Sequence, residues 1–122
     1  VLAHGDTFVF CHASASASVL ERCDLVSVST TVTAIDFNGD DAVGLARDGE
    51  LIDTLGEEGP DPGTAWAVGT EPLGTLDHTL RRRPEVLGPN AIWASASAEW
   101  EVFETDDFGG LGDHQPGFIC AP

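Results

Sequence analysis

The chain has no lysine and no methionine, and its one glutamine is Gln115. Common helix-filling residues are therefore scarce, which moves the expectation away from a helical protein. No run of 18 apolar residues occurs, so no segment reads as a membrane-spanning helix. No CxxC, HExxH or GxSxG is present. Paired-thiolate zinc ligation, a helix-borne histidine pair and a serine nucleophile elbow thus lose their usual sequence signals. Positive charge is scarce as well: five arginines stand against 21 acids, for a formal charge of −16. A surface so acidic repels phosphates, and no direct nucleic-acid binding is expected. The opening "VLAHGD" lacks signal-peptide character. The expectation is either a leader already removed or a chain that begins within a longer protein.

What is present favours strands and turns. The 122 residues suit one domain, 1–122, and 42% apolar content permits a core. There are 14 glycines and seven prolines, with plentiful Val, Ile, Thr, Phe and Trp. "DTFVFCH" alternates, with Phe8 and Phe10 on one side and Thr7, Val9 and Cys11 on the other, as in a strand. "ASASASVLERC" predicts a short helical turn. "LVSVSTTVTAIDF" predicts a second strand with Val26, Val28, Thr30 and Val32 on one face, its phase slipping near Ala34 and Ile35. "DAVGLARDGELIDTLG" predicts a hairpin that reverses at Asp48-Gly49. "EEGPDPGTAWAVGTEPLG" is loop chemistry, with Pro62-Gly63 fit for a turn and Trp66 as an anchor. "HTLRRR" predicts a strand stopped by Pro84, and "NAIWASASAEWEVF" gains strand character at its end. The tracts "ASASA" at 13–17 and 94–98 look alike, but their flanks differ and no internal repeat follows.

Cysteines stand at 11, 23 and 120. A Cys11–Cys23 disulfide across a short excursion is expected, leaving Cys120 as an odd thiol with its partner elsewhere. This cysteine usage points to an extracellular or cell-surface, secreted location.

The segment "FNGDDAVGLARDGELIDTLGEEGPDPGTAW" (37–66) is the most acidic and glycine-rich part of the chain. Just ahead of it and into it, Asp36, Asn38 and Asp40 form a D-x-N-x-D run. Alternate oxygens in a tight loop suit calcium, which takes six to eight oxygen ligands. The EF-hand pattern is not met, however, and an Asx-rich turn is the competing reading. Asp36, Asn38 and Asp40 are the metal candidates, with calcium as the cofactor considered. Glu57, Glu58 and Asp61 offer a second carboxylate group, set against a solvated loop that would not enclose it. His4, His12, His78 and His114 lack ligand spacing. Asp77-His78-Thr79 suggests part of a triad but has no serine to serve, and Cys11 is better placed as a disulfide partner than as a nucleophile. No catalytic residue is assigned. Trp66, Trp93 and Trp100 read either as a sugar-stacking platform or, more in keeping with a β-fold, as core and loop anchors. Arg81, Arg82 and Arg83 alternate along their strand, with Arg82 opposite to the other two, so pairing with acids is favoured over a basic patch.

Taken in order, the words "GDTFVFCHASAS" (5–16), "FNGDDAVGLARDGELIDTLGEEGPDPGTAW" (37–66), "DHTLRRRPEV" (77–86), "W…SAEWEVF" (93–103) and "LGDH" (111–114) resemble the lamin-tail domain of bacterial secreted nucleases and cell-surface proteins. The resemblance implies an all-β, immunoglobulin-like β-sandwich without catalytic residues of its own. It also implies strands ahead of "GDTFVF" that this chain does not carry. The sandwich would then be partial at its N-terminus, with an open edge to be completed by another segment or chain. The expected function is a non-catalytic extracellular accessory or adhesion module of a larger protein. The alternative is a structural assembly subunit completed by strand donation between chains. Either way the expected partner is a protein or a neighbouring chain along an open sheet edge.

Overall fold

A computed structural model describes residues 2–3, 5–27, 33–114 and 117 of the chain. Two compact units emerge: Val1–Phe37 with Phe108–Gln115, and Asn38–Asp107 with Pro116–Pro122.

In the first unit, strand β1 (Phe10–His12) pairs in parallel with β2 (Leu25–Ser27), in the register Phe10 to Leu25, Cys11 to Val26 and His12 to Ser27. Parallel neighbours need a crossover of about a dozen residues. Here the connection carries one turn of helix, α1 (Ala17–Leu20), where the serine- and alanine-rich tract gives way to Val19 and Leu20. Val19 is buried against Val9 and Cys11, with Ala15, Leu20, Cys23 and Leu111 packed around them. The Cys11–Cys23 disulfide forms as expected and lies within this cluster. The amides of Asp24 and Leu25 both donate to the Val9 carbonyl, at 2.9 and 3.1 Å. A 3-10 turn, Thr33–Ile35, stands where the second strand's phase slips. Val28, Thr30 and Val32, also assigned to that strand, lie outside the described residues.

The second unit opens with the hairpin β3 (Val43–Arg47) and β4 (Glu50–Leu55). Asp48 and Gly49 both take positive φ, 53° and 81°. Two positive φ values at the corner match the twist of the flanking strands, which is why Asp-Gly serves here. The register shifts between Leu45 and Ala46. After a long loop, β5 (Thr79–Arg82) pairs antiparallel with β6 (Trp100–Phe103). Between them lies helix α2 (Trp93–Ala96), continued by a 3-10 turn at Ser97–Glu99. Trp66, Val68, Trp93 and Ala96 form the core, with Leu55, Leu80, Trp100 and Val102 packed against it. Trp66 and Trp93 meet edge to face, their ring centres 6.4 Å apart.

These elements overturn the expected all-β, immunoglobulin-like sandwich. The described fold is mixed α/β: two short α-helices and three separate two-stranded sheets. A sandwich requires two broad sheets whose alternate residues interdigitate. Here the strands run only three to six residues. The second unit's buried core draws on a loop (Trp66 and Val68) and a helix (Trp93 and Ala96), with strand residues only partly buried around it. The "ASASA" tract at 94–98 also belongs to helical turns, because alanines there let the chain approach closely: Ala96 is fully buried. Among the described residues no helix is long and apolar enough to cross a membrane.

Candidate functional site

The run Asp36, Asn38 and Asp40 divides between the units: Asp36 closes the first, and Asn38 and Asp40 begin the second. Around Asn38 the chain turns. Its amide NH donates to Asp41 Oδ2 at 3.2 Å. Its side-chain nitrogen, oriented to satisfy its neighbours, donates to the carboxylates of Asp40 and Asp41. Asn38 thus donates to those carboxylates from both its side chain and its backbone, and Asp41 caps the Asn38 NH within the turn. Two carbonyls of the turn are also engaged. Gly39 O accepts from Thr75 Oγ1 at 2.5 Å, and Asp40 O accepts from Trp66 Nε1 at 3.1 Å. The acidic turn is therefore fastened to the loop anchor Trp66, whose NH donates to Thr75 Oγ1 at 2.9 Å. Gly56 makes room for that ring. A Cβ there would stand 2.7 Å from Trp66 Nε1, and φ is +79°.

The other candidates are dispersed. Glu57, Glu58 and Asp61 lie on an exposed loop, where Asp61 Oδ1 accepts the Gly63 amide at 2.8 Å to shape a turn. His12 Nδ1 accepts the Ser14 amide at 3.0 Å, and a ring nitrogen of the exposed His78 lies 3.3 Å from the Leu73 carbonyl. His114 is exposed, and His4 and Cys120 lie outside the described residues. Among the described residues no group of three or more His, Cys, Asp or Glu side chains is placed to hold a metal ion. Trp66 and Trp93 are each 8% exposed, so they anchor the core and do not offer a platform to a sugar.

The charged residues that the fold does bring together surround the arginine run. Arg82, only 11% exposed, holds Asp53 at 2.7 Å through Nη1 and Glu99 at 2.6 Å through Nη2. Its guanidinium also lies over the Trp100 ring, 4.8 Å from the ring centre. Asn90 completes the group: its amide NH donates to Asp53 at 3.1 Å and its side chain donates to Glu99 at 2.9 Å. On the opposite face Arg81 pairs with Asp107 and lies 4.2 Å from the centre of Phe103, while Arg83 reaches Glu101 at 3.5 Å. The alternation of Arg81 and Arg82 on β5, with Arg83 just beyond its end, and the pairing of all three with acids follow the sequence reading. Asp53, Asn90 and Glu99 were not singled out, because nothing local in the sequence ties them to Arg82.

This group braces the unit. Hydrogen bonds from Asn90 and Arg82 outweigh burial and hold the Glu99 carboxyl below its ordinary value. Burial lowers the Arg82 value, but the hydrogen bonds and charges of Asp53 and Glu99 together raise it. Near neutrality the pair therefore stays ionised, which keeps the brace closed. Arg82 Nε and Trp100 Nε1 are buried without a hydrogen-bond partner among the described residues.

No family model, curated protein or solved structure matches this chain. The lamin-tail resemblance is corrected by that result together with the three open sheets: its quoted words fold into a helix-bearing structure, and the sandwich that would carry the family is not formed. The extra strands expected ahead of Gly5 lose their basis with it.

Proposed function

We propose that this chain is a non-catalytic, extracellular accessory module that binds a protein partner by accepting a strand along β2. The observation that carries the proposal is the state of that strand. Leu25 and Val26 point to opposite faces, yet both are exposed, at 48% and 46%. Phe8, near the start of β1, is exposed as well. Among the described residues β2 pairs only with β1 in a two-stranded open sheet, and an apolar strand at a sheet edge is a template for another strand unless lysine, proline or a covering loop blunts it. The occupant proposed is an extended segment with alternating apolar residues and basic flanks, because the chain carries −16. The disulfide supports the extracellular part of the reading. Its non-catalytic part is supported by the commitment of Cys11 to that bond and of Arg82, Asp53 and Glu99 to one another.

The test is calorimetric titration of the full chain with a synthetic peptide of alternating valine and threonine flanked by arginines. Binding that is lost on Val26→Lys, and lost with glutamate flanks, is the expected result. No heat from the basic peptide, or equal heat with the Lys variant, would reject the β2 site. The second reading is strand donation between copies, favoured by the same exposed apolar strand of an open sheet. It requires a multimer in light scattering that Val26→Lys dissolves, and a mass that grows with salt as repulsion between copies is screened.

A further inference from the structure

We propose that the Cys11–Cys23 disulfide is a reducible clasp, and that its opening by a dithiol reductant unfolds the first unit while the second stays folded. The inference stands on how little else, among the described residues, closes the first unit. Its strands are three residues long and its helix is a single turn, all far below the size that holds together alone. Its described core has only Val9, Cys11 and Val19 buried, so the disulfide is itself the centre of the packing. Small cores of this kind depend on a covalent staple. The hydrogen bonds that join the two strands begin beside the bridge: Asp24, next to Cys23, donates its NH to Val9 O, and its carboxylate accepts the Val9 amide NH at 2.7 Å. The returning C-terminal segment is tied to the same crossover. Arg22 Nη1 donates to Phe108 O at 3.0 Å, Thr7 Oγ1 donates to Gly112 O at 2.6 Å, and Leu111 packs against the core. Loss of the bridge therefore loosens three segments at once. The second unit, by contrast, has a core of tryptophans and an arginine brace, and no cysteine between Asn38 and Asp107.

The exchange runs through the more accessible sulfur. Cys11 is 5% exposed, whereas Cys23 is half-buried. A thiolate of the reductant attacks Cys23 Sγ, the protein S–S bond breaks, and Cys11 leaves as a thiolate that takes up a proton. The second thiol of the reductant then attacks the mixed disulfide and expels Cys23, which is also protonated. The reductant ends as its own disulfide, and the protein gains two electrons and two protons.

The sequence supplies separate reporters for the two units. All three tryptophans, at 66, 93 and 100, belong to the second, while Arg22, a trypsin site, immediately precedes Cys23 in the first. The full chain carrying Cys120→Ser would be treated with dithiothreitol, then probed by tryptophan emission and by brief trypsin digestion resolved by mass. Expected is a rise in cleavage after Arg22 on the order of a hundredfold, with the emission maximum and cleavage after Arg81 and Arg82 unchanged. The double variant Cys11→Ser, Cys23→Ser should show the same exposed Arg22 without reductant. Cleavage after Arg22 that rises less than about threefold in both experiments would overturn the clasp. A shift of tryptophan emission that accompanies the Arg22 cleavage would overturn the independence of the second unit.

Discussion

Val9, Cys11 and Val19 make up the buried core described in the first unit; Trp66, Val68, Trp93 and Ala96 make up that of the second. The two units also differ in what they expose. Leu2, Phe8, Leu25, Val26, Phe37 and Phe108 are exposed in the first, and its acids are Asp6, Glu21, Asp24, Asp36 and Asp113. The remaining 16 of the 21 acids belong to the second. Large apolar residues are exposed in the second as well, Leu45, Leu51, Leu73, Leu87 and Ile92, so the contrast lies in charge and in the core. One unit is stapled covalently; the other carries most of the acids and is closed by large rings. The difference teaches that the same open two-stranded sheets are held by two kinds of force.

The largest single effect is expected from Trp66→Ala. The ring is buried against Trp93, and its indole NH and backbone NH both secure neighbouring loops. Truncating a buried tryptophan costs about 3–5 kcal/mol. Urea unfolding followed by emission of Trp93 and Trp100 should show that loss. Cleavage after Arg22 should stay slow if the units are as independent as their cores. A loss below about 1 kcal/mol would remove Trp66 from the centre of the second core.

Next in size comes the arginine run, where two neighbouring residues give an internal control. Arg82→Met leaves Asp53 and Glu99 without their cation; both are about a quarter exposed, so water recovers part of the cost. A loss of about 3 kcal/mol is expected, at the low end for a broken buried pair. Arg83→Met should cost under about 1 kcal/mol, because Arg83 and Glu101 are 40% and 44% exposed at 3.5 Å. Equal losses at the two positions would show that the brace around Arg82 contributes no more than a surface pair.

How far these elements were legible in the sequence follows the range of the interactions. The Asp48-Gly49 hairpin was legible because the turn's demand for positive φ is local. The Cys11–Cys23 bridge and the short helical turn between its ends were legible for the same reason of short range. Pairing of the arginines with acids was legible from alternation, but its partners were not: Asp53 reaches Arg82 from 29 residues away and Glu99 from 17. The sandwich was not legible, because alternation in runs such as "DTFVFCH" marks strand character without fixing how much of the run pairs. In the structure only Phe10–His12 pairs there, and tertiary packing converts "WASA" into helix. As for the D-x-N-x-D candidate, its spacing was visible, but its local hydrogen bonds depend on which way the Asn38 amide faces, and no spacing encodes that.

A smaller, graded effect is expected from acid. The folded Glu99 value is depressed, first by the Asn90 hydrogen bond and then by Arg82. The unfolded chain therefore binds more protons than the folded one between the two values, and stability rises with pH there. Its contribution is complete above the ordinary glutamate value of about 4.3 and is lost as pH falls through the folded one. Urea midpoints of the second unit should hold from pH 7 to about 5 and decline below. In Asn90→Ala the decline should begin at the same pH but be smaller and finish at higher pH, because the largest cause of the depression is gone and the folded value moves up toward the ordinary one. An unchanged profile in that variant would remove Asn90 from the account.

The smallest effect is expected from salt, and it sharpens the contrast in charge. Sodium chloride screens repulsion among carboxylates, and the second unit holds most of them. Its tryptophan-reported midpoint should therefore rise by a few degrees between about 0.02 and 0.5 M salt, scaled to roughly 1 kcal/mol in a domain of this size. Protection of Arg22 in the first unit should change little over the same range. Calcium at matched ionic strength then separates the two readings of Asp36, Asn38 and Asp40. An equal rise with both salts means that the Asn38 nitrogen keeps its carboxylates and the run acts as a turn. A further rise with calcium, abolished by Asp40→Asn, means that the ion displaces that hydrogen bond and is stabilising by mass action. If neither salt moves the tryptophan-reported midpoint, self-repulsion does not limit the second unit, and the two units differ in their cores alone.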